Sequence, residues 1–113
     1  MPVRIGFIQY RLQLLRQELE RLVAELPALG ALKVIITGDL LTEDIKPSSI
    51  IELIIVQDTD ALYLDGIDFF VSHLRPNVGV EISVLTPNEF SNLESSNLTM
   101  FKKIKPEGVL YEL

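Results

Sequence analysis

"GDLLTEDIKPSSIIELIIV", Gly38 to Val56, is the stretch on which the fold turns. It opens on a glycine that closes the β-branched run Val34-Ile35-Ile36, which is too short for a helix and reads as a buried strand. "DLLTED" then reads as a polar turn or a single short helix capped by Asp39, and "KPSS" is turn chemistry. "IIELIIV" follows as a second buried strand, broken only by Glu52. A carboxylate inside such a run is costly unless it is paired or solvated at an edge, so Glu52 is the first residue to question. Its structural explanation is an edge-strand acid paired with a lysine or arginine. The corresponding explanation for Asp39 is a helix N-cap.

Upstream, "FIQYRLQLLRQELERLVAEL" has helical periodicity. Leu12, Leu15, Leu19, Leu22 and Leu26 form one stripe, widened by Val23. Arg16, Glu18, Glu20, Arg21 and Glu25 fill the other face, and Pro27 and Gly30 end or bend the helix. The stripe predicts packing within the domain; a dimer seam is the alternative.

Downstream, "DTDALYLDGID" reads as an acidic connector and "GIDFFVSHLRP" as a short helix stopped by Pro76. "VGVEISVLT" alternates, with Val80, Ile82 and Val84 on one face and Glu81, Ser83 and Leu85 on the other. Thr86, Pro87 and Glu89 form a helix start with a capping box. "LTMFKKI" reads as a last helical turn and "GVLYEL" as a closing strand. The predicted order is α-β-(α)-β-α-β-α-β, a mixed α/β fold in one domain over residues 1–113: a small mixed sheet backed by helices.

Composition narrows the function. The chain of 113 residues carries 16 acidic against 10 basic residues, net −6, which argues against phosphate-backbone binding to nucleic acid. No cysteine is present, which excludes disulfides, thiolate metal sites and thiol catalysis; the lone His73 excludes a histidine cluster. No apolar run is long enough to span a bilayer, so a soluble, cytoplasmic protein is expected. Mean hydropathy is high for so short a chain, at +0.31, which suits a subunit contact.

Smaller features read structurally. Asp58-Thr59-Asp60, with Asp65 and Asp68 nearby, lacks the glycine and closing glutamate of a calcium loop and reads as a solvated acidic loop. Lys102, Lys103 and Lys105 suit a helix C-terminus. Asn97-Leu98-Thr99 is a glycosylation sequon by pattern only.

The order and spacing of "LRQELERLVAELPALGALKVIITGDLLTEDIKPSSIIELIIV", "VEISVLTPNEF" and "IKPEGVLYEL" resemble a minimal nucleotidyltransferase domain of the polymerase-β superfamily, over nearly the whole chain. In that family a Gly-Ser or Gly-Gly step after the first strand cradles a nucleoside triphosphate. Two aspartates two positions apart on the next strand, with a third carboxylate from a neighbouring strand, hold divalent metals. Carried over, the resemblance matches Gly38 and the Pro47–Ser49 turn, but puts Asp39 at the cradle serine and Ile50 at the first aspartate. Glu52 falls at the second aspartate. Glu81 is the candidate third carboxylate, with Ser83 the other register.

Ile50 has no lone pair to give a metal, and the charge of Asp39 opposes a triphosphate. Leu41, Thr42 and Glu43 replace the family's basic and small residues. The resemblance therefore implies a degenerate site, with Gly38 and Asp39 at the nucleotide position and Glu52 and Glu81 as the remaining catalytic and metal candidates. It further implies a binding or regulatory role, since domains of this family pair with a small helical (HEPN-type) protein in toxin–antitoxin modules; a homodimer is the other expected assembly. The alternative it leaves open is an active enzyme in which Mg2+ and an NTP use Glu52 and Glu81 to move a nucleoside monophosphate to a protein or small-molecule hydroxyl.

Overall fold

The computed structural model describes residues 2–58, 63–96, 102–104 and 110–112. The chain forms α1 (Pro2–Glu25), a 3-10 turn (Leu26–Leu29), β1 (Lys33–Thr37), α2 (Gly38–Thr42), β2 (Ile51–Val56), α3 (Tyr63–Leu74), β3 (Val80–Leu85), α4 (Pro87–Ser96), β4 (Lys102–Ile104) and β5 (Leu110–Glu112). The strands make one mixed sheet in the order β3-β2-β1-β4-β5. β1 runs antiparallel to β2 and β4, β4 antiparallel to β5, and β2 parallel to β3. A parallel neighbour needs a crossover, which α3 supplies. The expected mixed α/β architecture, a small mixed sheet backed by helices, is the one formed.

Each face of the sheet buries its own apolar set. On one face, Val34 and Ile36 of β1, Ile51, Leu53 and Ile55 of β2, and Ile82 and Val84 of β3 join Leu15, Leu22 and Val23 of α1 and Phe70 and Leu74 of α3. On the other, Ile35 and Val56 pack with Phe90 of α4, flanked by Leu41, Ile54 and Leu85. The period-2 alternation of β1, β2 and β3 divides their residues between these clusters. Leu15, Leu22 and Leu26 are fully buried, and Leu12 and Leu19 pack against the same core. The leucine stripe is therefore occupied within the chain itself.

The helix ends follow local chemistry. α1 begins earlier than its periodicity suggests, with Pro2 in its first turn, where a missing N–H costs nothing. Past Pro27, Gly30 takes the left-handed conformation at φ 95° and donates to the Leu26 and Pro27 carbonyls. The Thr86 N–H donates to Glu89 Oε1 (2.9 Å) and the Glu89 N–H to Thr86 Oγ1 (3.2 Å), the expected capping box of α4.

Several expectations are corrected. The N-cap of α2 is Thr37, and Asp39 stands inside the first turn, where the helix dipole favours an acid. α3 starts at Tyr63, so Asp65 and Asp68 are helical rather than part of an acidic loop; Asp58 is exposed. Thr59, Asp60, Lys105 and the sequon at Asn97 lie outside the described residues. Lys102 to Ile104 form a strand, not a helical turn. They lie along the edge of β1 not taken by β2, where pairing satisfies the backbone of both.

Glu18 is also corrected. It is 6% exposed, not on the solvent face. Its carboxylate accepts from Arg21 at 2.7 and 3.0 Å and from the Asn77 backbone N–H. Arg21 in turn donates to the Leu74 carbonyl (3.0 Å) at the end of α3. The Arg21 hydrogen bond, opposed by burial and helped by the Asn77 N–H, holds the Glu18 carboxyl down to about 2.

Candidate functional site

The predicted site residues meet where β1 ends and β2 and β3 begin. Gly38 closes β1 and opens α2 with φ at 73°, a backbone state that side chains resist. Glu52 faces Thr37 across the antiparallel β1–β2 pair, one residue from Gly38. Its carboxylate packs directly on the glycine: a Cβ at position 38 would stand 1.6 Å from Glu52 Oε2 and 2.5 Å from Cδ. The left-handed backbone favours glycine here, and any side chain would also have to push the flexible end of Glu52 aside.

Glu81 is the register partner of Glu52 across the parallel β2–β3 pair, so the two acids share one face of the sheet. Between the two registers left open by the sequence, Glu81 rather than Ser83 stands beside Glu52; Ser83 pairs with Ile54. Glu52 is half-buried and Glu81 exposed. Glu52 lies on an inner strand, and among the described residues neither acid has an ion pair or hydrogen bond, so a paired edge-strand acid does not describe it. Like charges directly across a strand pair repel.

Ile50 precedes β2 and packs onto Gly79, which precedes β3; a Cβ there would stand 2.7 Å from Ile50 Cγ2. The position that would carry a first metal ligand is therefore an apolar contact. Gly79 is the partner that periodicity alone did not single out; its signal was only its place two residues before Glu81.

Asp39 is bound into the turn that follows α2. The buried Ser49 hydroxyl donates to Asp39 Oδ2 (2.7 Å) and accepts from the Lys46 backbone N–H (2.8 Å). The Ser49 N–H closes the Lys46-Pro47-Ser48-Ser49 turn on the Lys46 carbonyl at 3.0 Å. The Lys46 ammonium lies 3.3 Å from Asp44 and 3.7 Å from Asp39, and its pKa is raised first by the Asp44 hydrogen bond and then by the charge of Asp39. From α1, Arg11 donates to the Ser49 carbonyl (2.7 Å), and Arg16 pairs with Glu43. Ser49, Lys46 and Arg11 thus define Asp39's surroundings, and only the "KPSS" turn signal pointed towards them.

Tested against a two-metal centre, these residues do not fit. Such a centre needs carboxylates at alternate positions of one strand and a third beside them. Here Ile50 supplies none and Asp39 is engaged by Ser49. Among the described residues no group of three acids or histidines is placed to hold a metal. His73 stacks on Phe69, with centroids 4.3 Å apart, on the exposed side of α3. No helix among the described residues is long and apolar enough to cross a membrane.

Compared with family models, with curated proteins and with solved structures, the chain matches none.

Proposed function

We propose that this chain is a cytoplasmic nucleotidyltransferase-like domain that has lost catalysis and acts as a binding or regulatory module towards another protein. The Glu52–Gly38 contact carries the reading. The glycine after the first strand and the acid on the second strand stand together, as the nucleotidyltransferase template requires. Yet the carboxylate lies on the glycine itself, in the space where a triphosphate would approach the backbone. A charge there repels phosphate, and the apolar Ile50–Gly79 contact removes a metal ligand that would offset it.

One observation favours the active alternative: Glu52 and Glu81 share a register and a face. Incubation with magnesium and ATP labelled at the α-phosphate separates the two. The proposal expects no label in protein or small hydroxyl acceptors above a protein-free blank. Incorporation that is abolished by Glu52→Gln would establish transfer and overturn it.

A further inference from the structure

We propose that the free edge of β3 takes an extended strand of a partner protein, and that this strand carries a lysine or arginine over the Glu52–Glu81 pair. The inference rests on the partner-binding reading above and gives that partner a chemistry.

The backbone phase comes first. The Ile51 N–H donates to the Gly79 carbonyl and the Gln57 N–H to the Leu85 carbonyl, both at 2.9 Å. In a parallel pair such bonds alternate, so the odd residues of β3 face β2 and the N–H and C=O groups of Val80, Ile82 and Val84 point outward. β3 ends the sheet on this side, and among the described residues nothing pairs with that row. Six residues of strand with no internal proline or bulge form a template for β-strand addition.

Charge selects the occupant. Glu81 sits at a non-hydrogen-bonded position of this edge, where a residue opposite it on an added strand brings its side chain close. That residue falls on the same face as Glu81 and Glu52, next in line across the sheet. The two acids stand side by side in register with no ion pair to either among the described residues, while Phe90 of α4 packs farther along the same face with Ile35 and Val56, flanked by Ile54 and Leu85. A basic side chain from the added strand neutralises the pair, while an acidic one adds a third like charge. A second copy of β3 would bring another Glu81 to the same seam, which disfavours self-pairing.

The test uses the whole chain and two capped peptides about as long as β3, both alternating with valine, one carrying lysines and the other glutamates. Amide exchange and chemical shifts are followed by NMR. The lysine peptide is expected to bind and to protect the Val80, Ile82 and Val84 amides. Glu81→Lys, on the exposed face, is expected to weaken that peptide about tenfold or more and to admit the glutamate peptide. Val80→Pro removes an outward donor without touching the β2 ladder and is expected to weaken the lysine peptide.

Equal binding of the two peptides, protection located elsewhere, or no binding by a folded chain would overturn the proposal. So would a concentration-dependent β3–β3 dimer, which would make the edge a self-association surface. A magnesium–ATP titration in parallel separates the failures. Nucleotide binding through Glu52 overturns the degenerate reading, whereas peptide failure with no nucleotide binding overturns only the strand proposal.

Discussion

Gly38 concentrates the local energetics of the site. Gly38→Ala must leave the left-handed region or strain within it, and must also displace Glu52. We expect a loss of roughly 2 kcal/mol or more in urea denaturation. Combining it with Glu52→Ala should relieve the collision but not the backbone strain, so the double variant should lie between wild type and Gly38→Ala. Ser49→Ala removes both the donor to Asp39 and the acceptor of the Lys46 N–H at a residue only 3% exposed. It should cost about 1–2 kcal/mol by the same measurement. At this scale the sequence identified Gly38, Asp39 and Glu52 as residues needing explanation, because glycine and acids interrupt apolar runs. The partners of Asp39 and Ile50 were hidden, since Ser49 and Gly79 reach them only after the chain has folded back.

The elements are tied together by α1. Its buried leucines meet the sheet, and Glu18 with Arg21 fastens it to the end of α3 and the approach to β3. Leu22→Ala should destabilise by about 2–5 kcal/mol, because the side chain is fully buried, whereas Tyr10→Ala, at a side chain left mostly in solvent, should change little. The Glu18 carboxyl, held down to about 2 from its ordinary 4.5, gives a pH prediction. Its stabilisation is complete above pH 4.5 and is lost as pH falls through the folded value near 2. Because Arg21 is 37% exposed, solvent screening limits the effect to roughly 2 kcal/mol. Glu18→Gln should flatten that part of the acid-unfolding curve. The leucine period, the β-branched runs and the Thr86–Glu89 box were legible because each is a local pattern. β4 was not: Lys102-Lys103-Ile104 has no period of its own and is a strand only because β1 offers it an edge.

For the molecule as a whole, the sheet order joins the ends of β1, β2 and β3, bringing Gly38, Glu52 and Glu81 to one end of one face. The sequence carried β1, β2 and β3 but not this register, because β2 and β3 are joined through the α3 crossover, and nothing local sets whether Glu81 or Ser83 stands beside Glu52. The acid pair, the Ile50–Gly79 contact and the engaged Asp39 are the features on which the proposed preference for a basic partner strand over a triphosphate rests. The central claim of the proposal is that this chain, for all its resemblance to a nucleotidyltransferase domain, binds no nucleotide. Calorimetric titration of the wild-type chain with ATP in excess magnesium tests it most directly, with Glu52→Gln as the paired control. No binding heat from either protein is the predicted result. Micromolar binding by the wild type that disappears in Glu52→Gln would contradict the account.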